Sequence, residues 1–227
     1  MKPPRTPGQK KQQSERKAPG KKRQPTSFTR ERVVEAAFDL IREEGWQSMS
    51  ARAIAKRLGS STMPIYSHLR SVAEVERALR GKAYALLKDY QQRSWTPDPS
   101  MDMAFGYIAF ARDEPHLFRF LYIERPDVIG EEGLEKLSET YDDEFGAEAP
   151  EHEALAALSR SARNDLMQNS WIFTHGLAVL VNSGALGECS DEMILRFLGN
   201  AGEAFYIWAA GRSGSPQGSD NGGTNGE

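Results

Sequence analysis

Thr62, Met63, Pro64, Ser67 and His68 lie close together in the chain and form the outward face of one short helix. Hydroxyls that donate or accept, set beside small apolar groups that can meet a thymine methyl, suit the reading of base-pair edges in a DNA groove. The other face of the same stretch carries Ile65 and Leu69, which face inward. Nothing comparable suits catalysis. His68, His116, His152 and His175 have no metal-ligand spacing with one another or with Cys189. No glycine-rich phosphate loop is present, and Cys189 has no histidine near it in sequence. No enzyme, metal or cofactor is therefore expected.

A reading helix needs a rigid support, and the flanking sequence supplies one. The first helix starts at Thr29, whose hydroxyl can accept a free N–H of the first turn, with Glu31 favouring the helix dipole. Val34, Ala37, Phe38 and Ile41 form its apolar stripe, and Gly45 ends it. The second helix runs from Ala51 to Leu58 after Ser50, buries Ile54, Ala55 and Leu58, and stops at Gly59. Ser61 caps the third, Thr62 to Leu69. Two short helices joined by a tight turn on a third make a helix-turn-helix, whose last helix enters the major groove. A capping box, Ser71-Val-Ala-Glu74, opens a fourth helix that runs through Leu79, Leu86 and Leu87 toward Tyr90 or Trp95, before Pro97 and Pro99 break the chain.

Beyond the prolines the apolar spacing stays at three and four, so the fold class is all-α. The spacing predicts helices over Met101–Ala111, from Pro115 through Tyr122, over 131–145 as an exposed charged helix, over Glu153–Ser183, and over Asp191–Ala210 with Ser190 as its cap. Residues 146–152 read as a loop. The expected domains are a disordered basic tail (1–26), a helix-turn-helix (27–71), a larger helical domain (72–210) and a Gly/Ser/Asn tail (211–227).

The segment Gly59-Ser-Ser-Thr-Met-Pro-Ile-Tyr-Ser-His-Leu-Arg-Ser71 resembles the signature of the tetracycline-repressor (TetR) family. Thr29-Arg-Glu, Ala36-Ala-Phe38, Gly45-Trp46 and Ala51-Arg-Ala-Ile-Ala-Lys-Arg-Leu-Gly59 agree with it without a gap. The resemblance implies a dimeric transcriptional repressor of double-stranded DNA. It implies that Tyr66 holds a phosphate, with a core aromatic beside Ile65 as the alternative. It implies that Arg52 reaches a base or phosphate, and that Thr62, Met63, Pro64 and Ser67 read bases. His68 matches a family histidine that either touches a phosphate or packs. Ser61 sits at the mouth of this helix and is grouped with these contacts. Where many members have a lysine opening the fourth helix, this chain has Val72; Arg70 or the basic tail would have to supply that grip.

The resemblance continues more weakly in Tyr107-Ile-Ala-Phe-Ala-Arg-Asp-Glu-Pro-His-Leu-Phe-Arg-Phe-Leu-Tyr122 and in Trp171-Ile-Phe-Thr-His-Gly176. It implies an effector cavity, for which Trp95, Phe105, Tyr107, Phe110, Phe118, Tyr122, Met167, Trp171 and His175 are the candidate lining. An apolar or aromatic small molecule would suit such a lining. It also implies that the last two helices pair across a homodimer, through Leu177, Leu180, Phe197, Ala201, Phe205 and Trp208.

Charge is divided sharply along the chain. Residues 1–27 carry nine Lys/Arg against Glu15, a net +8, while residues 97–210 carry a net −14 within a chain of net −3. The basic end would be drawn to nucleic acid and the acidic body repelled from it. Deleting residues 1–26 is expected to weaken DNA binding and flatten its salt dependence. One cysteine, no apolar run long enough for a bilayer and no signal-peptide pattern lead to an expected cytoplasmic location without membrane contact.

Overall fold

The computed structural model describes residues 29–68, 72–124, 126 and 153–213. The expectations for both tails up to 28 and from 214, for Leu69, Arg70 and the Ser71 capping box, for the 131–145 helix and for the 146–152 loop lie outside these residues. Among the described residues every regular element is a helix. In chain order they are α1 (Arg30–Glu44), α2 (Ala51–Arg57), α3 (Thr62–His68), α4 (Val72–Gln91), α5 (Pro99–Asp113), α6 (Pro115–Arg119), α7 (Glu153–Ala156), α8 (Arg160–Asn182) and α9 (Asp191–Ser213). A single 3-10 turn, Trp46–Ser48, links α1 to α2, and α6 runs on into a π-type turn, Phe120–Glu124.

The caps act where the residue types place them. Thr29 Oγ1 accepts from the Arg32 amide, Ser50 Oγ from Ala53 and Ser190 Oγ from Met193. Each satisfies an N–H that its helix leaves without a partner. The last helix runs three residues past the expected Ala210, to Ser213.

One expected helix is two. The stretch 153–183 breaks at Ala157-Leu158-Ser159. Ser159 turns extended (ψ 156°) and its hydroxyl accepts from the Ala162 amide, opening α8, while Leu158 turns into the protein. The apolar period continues across the break, so it masks the local competition that a serine offers the helix backbone.

α5 sits at the centre. Phe105, Tyr107, Ile108, Ala109, Phe110 and Ala111 are all buried, which means the helix is covered on every side. Its neighbours are α4, α8 and α9. Gly106 is the contact point with α4: a Cβ there would stand 2.3 Å from the Tyr90 carbonyl oxygen. The α4–α5 loop is pinned by Asp102, whose Oδ1 accepts from the Trp95 and Thr96 amides at 3.0 and 2.8 Å. At the far end, the Asn182 amide donates to the Ala111 and Pro115 carbonyls, fixing α8 to the α5–α6 junction. The core runs unbroken from Val33 in α1 to Leu198 in α9.

Candidate nucleic-acid interface

The turn between α2 and α3 is built by its glycine. Gly59 has φ +63°, the left-handed region that a side chain disfavours. The Gly59 amide donates to the Lys56 carbonyl and the Ser60 amide to Ala55, at 3.1 and 2.9 Å. This paired pattern closes the end of α2 and turns the chain sharply into α3. α2 is in turn tied to α1 by Arg57, whose guanidinium grips the Glu43 carboxylate with both terminal nitrogens. That bond holds the Glu43 carboxyl below its usual range.

α3 has one inward anchor. Ile65 is fully buried against the first two helices, so the helix cannot rotate without exposing it. That fixes what the other faces present. Met63 is 79% exposed and Tyr66 64%, with Thr62 and Pro64 half-buried beside them and Ser61 exposed at the helix mouth. Tyr66 therefore does not pack in the core beside Ile65. Arg52 is exposed on α2. Ser67 and His68 belong to α3, but their side chains, like all of Arg70, lie outside what the structure describes. α3 offers a hydroxyl, a phenol and a flexible thioether, and α2 a guanidinium, groups of the kind that meet phosphates and base edges.

This module joins the rest of the protein through α6 and its continuation. Trp46 stacks on Phe120, ring centres 5.0 Å apart. A Cβ on Gly45 would come within 3.2 Å of the His116 ring. The Arg42 guanidinium holds the buried Glu114 carboxylate with two hydrogen bonds, the Nε–Oε2 bond at 2.7 Å. α4 joins the same region, Arg80 donating to the Leu121 carbonyl at 3.3 Å. Sequence reading did not find the Arg42–Glu114 pair. The two residues are far apart in the chain and each, alone, is an ordinary surface type.

The residues expected to line an aromatic cavity pack largely on one another. Tyr107, Phe118, Tyr122, Trp171 and His175 touch one another: Trp171 stacks on His175 at 5.3 Å, and the Tyr107 hydroxyl is 2.9 Å from His175 Nδ1. Trp95 packs on Tyr90 and Phe105, and Phe110 on Tyr90. Phe105, Tyr107, Phe110 and Phe118 are buried in the core, while Trp95, Tyr122, Trp171 and His175 are half-buried against them. Burial there holds the His175 pKa below its usual value.

A cavity of about 310 Å³ opens elsewhere, between α5, α8 and α9. α5 contributes Met101, Met103 and Ala104; α8 contributes Leu166, Met167, Ser170, Phe173 and Thr174; α9 contributes Leu198, Ala201, Gly202, Phe205 and Tyr206; Leu155 of α7 completes it. Of the nine expected residues only Met167 lines it. The lining positions do repeat at helical spacing along α8 and α9. A core face and a cavity wall share that spacing, however, so the sequence carried no signal separating them.

Three of the six expected pairing residues also face inward. Leu177 is only 6% exposed, in the core of its own chain, and Ala201 and Phe205 line the cavity. Phe197 packs partly against the core. Leu180 and Trp208 are exposed, and Ile172 on α8 and Ile207 on α9, unnoticed in the sequence, are exposed with them.

No model of a known protein family matches the chain. Over 176 residues it is 23% identical to an uncharacterized HTH-type transcriptional regulator of Mycobacterium tuberculosis, a match covering 75% of this chain and 78% of that protein. Among the described residues no helix is long and apolar enough to cross a membrane.

Proposed function

We propose, from this similarity to a transcription regulator and from the α2–α3 geometry, that the chain is a DNA-binding transcriptional regulator of the TetR type. It acts as a repressor on a palindromic operator. The observation that carries the reading is the exposure of Met63 and Tyr66 on a short helix locked by Ile65. Large apolar and aromatic groups left in water on a fixed helix mark a surface built for contact. Tyr66 donates its hydroxyl to a phosphate, Arg52 reaches the backbone or a base from α2, and Thr62, Met63 and Pro64 meet base edges. Ser61, Ser67, His68 and Arg70 complete the contact set, and the +8 N-terminal segment adds non-specific attraction in place of the lysine that Val72 replaces.

The working unit is a homodimer. Ile172 and Leu180 on α8, with Ala204, Ile207 and Trp208 on α9, are all exposed. Gly176, between Ile172 and Leu180, has open space where its Cβ would stand, which lets a second helix approach. Pairing two copies through this face would set two reading helices on one side of DNA, matched to half-sites about 34 Å apart. The α5–α8–α9 cavity supports control by a small effector that releases the operator. A constitutive regulator, or one run by a partner protein, would have no use for it.

The test is fluorescence anisotropy on the DNA upstream of the protein's own gene. Tyr66→Phe should weaken binding by about tenfold, the loss of one hydrogen bond to a charged group. Binding unchanged by that substitution removes Tyr66 from the contact set. Failure to bind any duplex from a random pool removes the whole reading.

A further inference from the structure

The α5–α8–α9 cavity has a defined chemistry. No Asp, Glu, Lys, Arg or His is among the described residues that line it. A ligand carrying a charge would lose its water and find no countercharge, a heavily unfavourable exchange. Met101, Met103 and Met167 supply flexible, polarisable walls that adapt to an irregular apolar shape.

The polar groups are few and concentrated. Ser170 and Thr174 stand one helical turn apart on α8 and both line the cavity. Thr174 is 9% exposed, and its hydroxyl makes no hydrogen bond to any described residue. A hydroxyl that is reached from the cavity and has no protein partner is free to pair with a guest that brings one. Such a group fixes the orientation of an otherwise apolar molecule.

We infer that this cavity binds an uncharged, mainly apolar molecule with one hydroxyl or carbonyl group, which pairs with Thr174. At about 310 Å³ the space holds on the order of fifteen to twenty heavy atoms at organic packing density. The inference rests on reading the cavity as the effector site. It adds to that reading an exclusion of carboxylates and amines.

The full chain is to be loaded with N-phenyl-1-naphthylamine, an uncharged fluorescent probe, and challenged at pH 7 with 1-decanol, decanoate and decylammonium. These share one chain and differ in charge. 1-Decanol should displace the probe at concentrations at least about tenfold below either ion. Ala201→Phe, which fills the cavity, should abolish probe binding. Thr174→Val keeps the shape and should weaken 1-decanol about fivefold while leaving the probe within about twofold, the share of one hydrogen bond. Displacement by decanoate or decylammonium as readily as by 1-decanol would overturn the inference. So would a Thr174→Val variant that binds 1-decanol unchanged, or a folded Ala201→Phe that still binds the probe. Anisotropy on DNA separates the two readings. If 1-decanol fills the cavity and DNA stays bound, effector control fails and the ligand class stands. If 1-decanol releases DNA without displacing the probe, the ligand class fails.

Discussion

The Glu114 carboxylate, buried at the α5–α6 junction, has its countercharge on Arg42 of α1, a residue of the helix that supports α2 and α3. The Arg42 side chain is half exposed, so the pair is asymmetric: one partner can be left to water and the other cannot. The bond raises the Arg42 pKa further above its ordinary value. Arg42→Ala should therefore destabilise the fold by about 2–4 kcal/mol, because it leaves a buried charge without a partner. Glu114→Gln should cost less, about 1–2 kcal/mol, since Arg42 can turn outward. Urea unfolding of the two variants checks the order; equal costs would show that the asymmetry has no energetic weight.

Gly106 permits the close crossing of α5 on α4. Gly106→Ala puts a methyl 2.3 Å from the Tyr90 carbonyl oxygen, a backbone atom that cannot turn aside. The expected loss is about 2–4 kcal/mol, the range of strained overpacking. Gly81→Ala, on the exposed side of α4 with nothing near its Cβ, should instead gain about 0.5–1 kcal/mol from helix propensity. Thermal melts of both variants test the contrast in sign.

The exposed face of Ile172, Leu180, Ile207 and Trp208 is the proposed seam between two copies. Leu180→Arg and Ile207→Arg each place a charge where the partner copy would cover it, and light scattering should show a dimer turned monomer. Their helical content should stay intact, because neither side chain belongs to the core of its own chain. A wild-type chain that is already monomeric at micromolar concentration would contradict the seam.

His175 gives the fold a pH dependence of known sign. Burial lowers its pKa from 6.5, so the folded chain resists taking the proton that the unfolded chain accepts. Between that lowered value and 6.5 the unfolded state binds more protons, and stability falls as the pH drops. Wild type should lose stability more steeply than His175→Gln between pH 7.5 and 5.5, read as urea midpoints. Parallel slopes would mean that the Tyr107 hydroxyl, 2.9 Å from Nδ1, tolerates the charged ring.

The sequence by itself determined what is local. Thr29, Ser50 and Ser190 cap their helices because a short hydroxyl side chain reaches its own backbone. Gly45 and Gly59 end theirs because each takes a positive φ. Those positions, with Ile65 as the inward anchor, made the outward face of α3 legible before any packing was known. The Ser159 break was missed for the opposite reason: its local signal competes with a continuing apolar period. Tertiary structure alone decided where the cavity opens and which apolar residues of α8 and α9 stay exposed. α8 is apolar on more than one side, so its sequence does not say whether Leu177 or Leu180 meets the core; packing on α5 turned Leu177 inward. The size of Trp171, His175 and Tyr107 says how much space they can fill, not whether neighbours leave a gap. Their rings closed on one another, and the gap opened instead beside Met101, Met167 and Thr174.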